Sequence, residues 1–141
     1  MPIKPENAAR YPKEWPEIRQ RILVRAGHRC EQCGVSNYAL GGRDKSGNWL
    51  RALPLGEKML RLEWPKPGEM SWCSAFDTLE KLRIIRIVLT IGHLDHTPEN
   101  CADENLRAWC QRCHLAYDAK HHQQTAYQTR RAGKAVQELF P

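Results

Sequence analysis

Two Cys-x-x-Cys pairs constrain the fold of this chain more than any other feature. They are Cys30 with Cys33 and Cys110 with Cys113, and residues 34–109 lie between them. Four thiolates in a tetrahedral array form a closed structural zinc site, so we expect bound zinc rather than unligated buried thiols. Such a site would attach the N-terminal part of the chain to a segment far along the sequence. A chain of 141 residues forms one domain by length, and a structural metal adds useful stability at that size.

A second cluster of polar side chains lies within residues 92–118, which read GHLDHTPENCADENLRAWCQRCHLAYD. Asp95 and His96 are adjacent, and Asn105 and His114 follow at successive intervals of nine residues. A carboxylate, two imidazoles and a carboxamide suit metal-assisted hydrolysis better than they suit a hydrophobic core. This segment is therefore the candidate active site.

Hydrophobic spacing predicts a mixed α+β domain. Ile18, Ile22 and Leu23 recur at helical spacing, which predicts a first helix that ends at Gly27. The remaining elements are expected as hairpins over 37–77, a strand over 82–91, a loop over 97–103, a strand over 106–109 and a helix from residue 111. Trp49, Trp64 and Trp72 fall in the hairpin region, and we expect them in the core rather than stacked on unpaired bases.

Together with both cysteine pairs, residues 93–118 resemble the HNH endonucleases. The matching residues make up about a fifth of the chain, and residues 37–85 lie outside the resemblance. The resemblance implies a ββα-metal core over 82–122, preceded by an N-terminal helix and first cysteine pair (1–34) and inserted hairpins (35–81). A basic C-terminal helix (123–141) completes the expected domain.

The same resemblance implies a role for each polar side chain. His96 would be the general base that deprotonates the attacking water, and Asn105 would hold that geometry by bonding the imidazole or by tying down the loop. Asp95 and His114 would bind one catalytic divalent cation, Mg²⁺, Mn²⁺ or a transition metal. Asp118, one helical turn after His114, is a further candidate ligand.

Two positions leave alternatives open. The motif can also be aligned so that His93 becomes the base, in which case Gly92 stands where a ligand is expected. A glycine has no side chain to coordinate, so His96 is preferred, and His93 could instead help to hold the cation or be a buried strand histidine. HNH proteins commonly carry a lysine where this chain has Tyr117, and Lys120 could replace it.

Charge points to a polyanionic partner. The net charge of +6 comes from the ends, because residues 1–34 carry seven basic and four acidic side chains and residues 119–141 carry four and one. Residues 35–118 carry eleven of each sign. The predicted DNA-phosphate contacts are Lys120, Arg130, Arg131 and Lys134, although a solvated helix would have the same pattern.

The expected function is metal-dependent hydrolysis of DNA phosphodiester bonds by an HNH endonuclease, with structural Zn²⁺ and a separate catalytic cation. The alternative is a nonenzymatic, zinc-dependent DNA-binding or adaptor module. Closely spaced cysteine pairs, an N-terminus without an apolar signal segment and the lack of a long apolar run predict a cytoplasmic protein with no membrane contact. The family further suggests a phage or mobile-element origin, and two copies could pair as a homodimer to cut both strands.

Overall fold

The computed structural model describes the backbone of residues 5–139 and the side chains of residues 5–135, so the ends of both predicted terminal segments lie outside it. A 3₁₀ turn covers Pro5–Arg10 and helix α1 covers Trp15–Arg25. The inserted strands are β1 (Leu40–Arg43), β2 (Trp49–Ala52), β3 (Gly56–Lys58), β4 (Arg61–Glu63), β5 (Met70–Ala75), β6 (Thr78–Arg83) and β7 (Ile85–Arg86). They are followed by β8 (Thr90–His93), a 3₁₀ turn (Asp103–Asn105), β9 (Leu106–Trp109) and helix α2 (Gln111–Leu139). The α+β prediction is confirmed.

Helix α1 ends just before Gly27, as the sequence predicts. Pro16 lies in its first turn, where a missing N–H costs no hydrogen bond, and Arg25 lies in its last turn. Gly27 takes φ +65° just after the helix, a conformation that glycine adopts without a steric penalty. The helix buries Ile22 and Leu23 in a core that also contains Leu89, Leu106 and Trp109, and we call this the first core.

The strands form antiparallel sheets. The larger sheet has the order β6-β5-β2-β1-β7, and two further sheets have two strands each, β3 with β4 and β8 with β9. In the last hairpin Thr90 lies opposite Trp109, and His93 lies opposite Leu106. Helix α2 follows this hairpin directly and contacts both of its strands.

The predicted single strand over 82–91 is wrong, because this segment passes between two cores and changes its pairing partners. Ile84 is fully buried with Leu50 and Cys73 inside the larger sheet, whereas Ile87 and Leu89 are buried against α1 and the last hairpin. The backbone of this segment pairs in succession with three different strands, β5, β1 and β9, so it does not run as one strand. The segment instead divides among β6, β7 and β8, and the two domain segments predicted to meet at residue 82 share β6.

The expected burial of the tryptophans is correct only for Trp49, which packs against the first core. Trp72 is 52% exposed because it alternates along β5 with the buried Ser71 and Cys73 and so lies on the outer face. Trp64 is 45% exposed because it follows the β3–β4 hairpin, whose residues are all exposed. Both side chains are open to solvent.

Helix α2 runs without interruption across the predicted boundary at residue 122. The hairpin β8–β9 and this helix therefore form one continuous unit that carries most of the candidate site. Within residues 5–139, no helix combines the length and apolar character needed to cross a bilayer.

Candidate functional site

The two cysteine pairs meet in space. The sulfur atoms of Cys30, Cys33, Cys110 and Cys113 all lie within 4.8 Å of one another, and we call this group the cysteine cluster. Gly34 takes φ +80°, and its N–H donates to Cys30 O at 2.9 Å, which folds the first pair into a tight loop. The second pair spans the junction of β9 and α2. The predicted meeting of the two pairs is confirmed, and the cluster can hold a structural metal ion such as zinc.

The surroundings of the cysteine cluster favour a bound cation. Burial raises the pKa of the Cys110 and Cys113 thiols, so all of these thiols cannot ionise together without a compensating positive charge. Burial acts in the same direction on Cys33, but hydrogen bonds from the Val35 backbone and from neighbouring side chains lower its pKa to about 7. Arg43 Nη2 lies 3.6 Å from Cys110 Sγ, which adds positive charge beside the cluster.

A cleft of about 590 Å³ contains most of the predicted catalytic side chains. Its walls come from the first 3₁₀ turn, α1, β8, the loop after β8 and α2. The side chains that bear on its chemistry are Arg10, Tyr11, Trp15, His93, His96, His114, Asp118 and His121. The structure thus gathers chain segments far apart in sequence around one concave site.

Asp118 is the centre of this cleft. It is buried, and its Oδ1 lies 3.3 Å from His96 Nδ1 while its Oδ2 lies 3.0 Å from His114 Nε2. The residues at 114 and 118 are one helical turn apart, so they share a face of α2. Among the described residues, the cysteine cluster is the one group whose potential ligand atoms all lie within 4.8 Å, so the His96–Asp118–His114 arrangement is more open.

The orientation of His114 is fixed by its other ring nitrogen. Its Nδ1 lies 2.9 Å from the hydroxyl of Thr90, and that hydroxyl donates to Trp109 O at 3.4 Å. When Nδ1 carries the proton, Thr90 accepts it and the Nε2 lone pair faces Asp118; in the other tautomer, Nε2–H donates to Asp118 Oδ2. Burial lowers the pKa of His114, which also favours the neutral imidazole.

His96 occupies an unusual backbone conformation, with φ +56°. Non-glycine residues at positive φ are uncommon and are concentrated at functional sites. The ring stacks on His121, with centroids 4.1 Å apart, and lies 5.7 Å from the ring of Tyr117. The Tyr117 hydroxyl donates to Leu94 O at 2.6 Å, so α2 is tied to the loop that presents His96.

Asp95 and Asn105 hold this loop together. Asp95 Oδ1 accepts hydrogen bonds from Asn105 Nδ2 and Thr97 N, both at 2.9 Å, and Asp95 Oδ2 accepts one from Asn100 Nδ2 at 2.8 Å. Hydrogen bonds from Asn100 and Asn105 lower the pKa of Asp95 to about 2. Asn105 thus ties down the loop, which is one of the two roles predicted for it. Both Asp95 carboxylate oxygens accept hydrogen bonds within this loop. A role of Asp95 as a cation ligand stays a prediction.

His93 also lines the cleft, but its side chain is more buried than that of His96. Its ring stacks on Trp15 at 5.3 Å, and its Nε2 lies 3.8 Å from Cys101 Sγ. Burial lowers the pKa of His93, so the imidazole is neutral near pH 7. A Cβ added to the preceding Gly92 would lie 2.8 Å from the Trp109 ring, so glycine permits close packing of β8 at this point.

Sequence reasoning missed three features of the cleft. One is that His121, exposed on α2, stacks on His96; its spacing of seven residues from His114 on one helix was a usable signal. The Thr90 contact to His114 and the cleft walls from Tyr11 and Trp15 depend on tertiary packing and leave no local pattern.

The predicted phosphate-contact residues all lie on α2. Lys120, Arg130, Arg131 and Lys134 are exposed, and none forms an ion pair within the part of the chain that the structure describes. Their positive charge is therefore available to a polyanion, and their contact with DNA stays a prediction. No protein-family model, curated protein or solved structure matches this chain significantly.

Proposed function

We propose that this protein is a metal-dependent endonuclease of the HNH type that hydrolyses DNA phosphodiester bonds, with β8, β9 and α2 as a ββα-metal core. The observation that carries the proposal is the buried Asp118 carboxylate, which contacts both His96 and His114 in one cleft. The resemblance of residues 93–118 to HNH endonucleases and the exposed basic residues of α2 support a DNA substrate.

His114 and Asp118 are the side chains that we propose hold the catalytic cation. In the tautomer whose Nδ1–H donates to Thr90, the Nε2 lone pair and Asp118 Oδ2, 3.0 Å apart, are both available to one cation. One imidazole and one carboxylate suit Mn²⁺, Mg²⁺ or a transition metal. When bound, such an ion supplies positive charge for the phosphate and the leaving oxygen. Asp118 thereby replaces Asp95, whose oxygens bind the loop.

His96 is the proposed general base. Its Nδ1 donates to Asp118 at 3.3 Å, which fixes the tautomer and leaves Nε2 to accept a proton from water. The water oxygen then bonds to phosphorus, the bond from phosphorus to the 3′ oxygen breaks, and that oxygen takes a proton from solvent, which gives 5′-phosphate and 3′-hydroxyl ends. The Asp118 carboxylate stabilises the imidazolium that forms. The Tyr117 hydrogen bond and the Asp95–Asn105 loop position His96 for this step.

The test is cleavage of supercoiled plasmid by wild type, His96→Ala and His93→Phe with Mg²⁺, Mn²⁺, Ni²⁺ or Zn²⁺ added separately. His96→Ala should lower the rate about 100- to 10,000-fold, the usual effect of losing a general base. His93→Phe keeps an aromatic ring against Trp15 and should retain most activity. Zinc content and thermal melting must match wild type for both variants.

The results of this assay distinguish the two candidate bases, and they distinguish a nuclease from a DNA-binding module. Full loss in His93→Phe with activity retained in His96→Ala would exchange the two histidines as base. If wild type binds plasmid but does not cleave it with any of the metals, the nuclease proposal fails, and a zinc-dependent DNA-binding module becomes the better description.

A further prediction concerns the hydrogen bond between Thr90 and His114. Thr90→Val keeps the shape of the side chain but removes the hydroxyl that orients His114. We expect the cation concentration for half-maximal cleavage to rise about 10- to 100-fold, as for other residues that orient metal ligands. Cleavage at saturating cation should fall much less. An unchanged cation requirement would show that Thr90 does not position His114.

A further inference from the structure

A second cavity, of about 690 Å³, lies between the loop after Cys33 and the larger sheet. It shares no lining residue with the cleft that contains His96 and His114. The side chains that give it chemical character are Arg29, Trp49, Arg51, Trp64 and Arg86. Its volume is in the range of about 300–1,000 Å³ that is usual for small-molecule sites.

The charge of this arginine–tryptophan cavity is entirely positive. Arg29, Arg51 and Arg86 line it, and none of its lining residues is acidic. Arg29 donates to Gly34 O at 3.2 Å, while Arg51 and Arg86 make no side-chain hydrogen bond or ion pair within the described residues. Guanidinium groups bind phosphate oxygens through paired hydrogen bonds, so a phosphate-bearing ligand matches this lining.

The two tryptophans of the cavity favour a ligand that contains a planar ring. Trp64 is 45% exposed at this cavity, and Trp49 reaches it from β2 with the Arg43 guanidinium 5.6 Å from its ring centroid. An indole ring offers a flat surface on which any nucleic-acid base can stack. A ligand that combines a planar ring with phosphate satisfies both parts of the cavity, and a nucleotide has that composition.

We infer that the arginine–tryptophan cavity binds an unpaired nucleotide of a DNA strand, with the base against Trp64 and the flanking phosphates on Arg51 and Arg86. The inference rests on the proposed DNA substrate and extends it to single-stranded segments. Bases in an intact duplex are paired and stacked, so they cannot enter such a cavity without being extruded. A second copy of this chain is a poorer occupant, because a symmetric contact here would bring like charges together.

Fluorescence anisotropy of an end-labelled 20-nucleotide oligo(dT) with zinc-loaded full-length protein, without added catalytic cation, tests this inference. Trp64→Ala should weaken binding about 5- to 150-fold, the loss expected from one stacked base. The double variant Arg51→Ala and Arg86→Ala should reduce the salt dependence, measured as the slope of log affinity against log salt, by about 1.4. Melting and zinc content identify any variant that is misfolded.

The matched control is Trp72→Ala, which removes an equally exposed tryptophan from an apolar depression without arginine. This variant should bind oligo(dT) as wild type does, and Trp64→Ala should bind a blunt duplex as wild type does. Unchanged oligo(dT) binding by Trp64→Ala, or equal losses in the two tryptophan variants, would overturn the inference. Displacement of oligo(dT) by free dTMP at the same nucleotide concentration would also overturn it, in favour of a free-nucleotide site.

Absence of oligo(dT) binding by the wild type would equally overturn the inference and leave a protein partner as the occupant.

The plasmid cleavage assay shows whether this inference or the nuclease proposal has failed. If wild type cleaves plasmid but Trp64→Ala binds oligo(dT) normally, only the inference fails. If oligo(dT) binding depends on Trp64 but no metal supports cleavage, only the nuclease proposal fails.

Discussion

Substitution of Cys110 by serine is expected to abolish zinc binding and the cooperative thermal unfolding of the protein. Cys110 is fully buried, and its sulfur lies 3.7 Å from Cys33 Sγ across a separation of 77 residues in the chain. A structural zinc site contributes about 10–16 kcal/mol in zinc-finger peptides, which is comparable to the whole stability of a small domain. Serine cannot replace the thiolate as a ligand of similar strength.

The loss of zinc should also disrupt the core that surrounds the cysteine cluster. Cys30 and Cys110 belong to the same core as Ile22, Leu89 and Leu106. Loss of the metal would remove the bonds that join the two Cys-x-x-Cys pairs and would release the loop after α1 from the start of α2. We therefore expect helical content and the near-ultraviolet signal of the aromatic side chains to fall together in circular dichroism.

Cys101→Ser is the matched control, because Cys101 is partly buried but lies outside the cysteine cluster. It should retain one zinc per chain, measured by metal analysis after gel filtration, and a melting temperature close to that of wild type. A Cys110→Ser protein that keeps stoichiometric zinc and melts within a few degrees of wild type would contradict a structural role for the cluster.

Local sequence patterns predicted the elements that local interactions determine. The Cys-x-x-Cys pairs, the end of α1 near Gly27 and the succession of β9 and α2 each depend on a few neighbouring residues, and the structure confirms them. The segment 82–91 failed for the opposite reason. Its apolar residues fill two different cores, and nothing in a run of β-branched residues reveals where the chain passes from one core to the other.

The candidate site divides in the same way. The helical spacing of His114 and Asp118 was visible in the sequence, and it places the two side chains together. The partner of His96 was not visible, because that contact depends on the positive φ of His96 and on the loop that Asp95 and Asn105 hold. A motif alone identifies which residues are chemically capable, but the loop conformation decides which carboxylate faces the histidines.

Asp118→Asn is expected to lower DNA cleavage at least about 100-fold, which corresponds to about 2.7 kcal/mol of transition-state stabilisation. The substitution keeps the shape of the side chain but removes the charge that faces both His96 Nδ1 and His114 Nε2. Cation binding and the orientation of the base would weaken together. The measurement is initial cleavage rate against cation concentration, with melting temperature and zinc content as checks on folding.

Asp95→Asn is the matched comparison, because it makes the same chemical change in the carboxylate that the HNH resemblance favours as the ligand. In the wild type, the two Asp95 oxygens accept hydrogen bonds from the side-chain amides of Asn100 and Asn105. An asparagine at position 95 would place its own NH₂ group against one of these NH₂ groups, and that hydrogen bond would be lost. We expect a looser loop, a lower melting temperature and a moderate loss of rate with a nearly unchanged cation requirement. If Asp95→Asn instead raises the cation requirement and Asp118→Asn does not, Asp95 holds the cation and the loop must rearrange when the ion binds. The two isosteric variants thus decide between the carboxylate that the motif indicates and the carboxylate that the folded cleft presents.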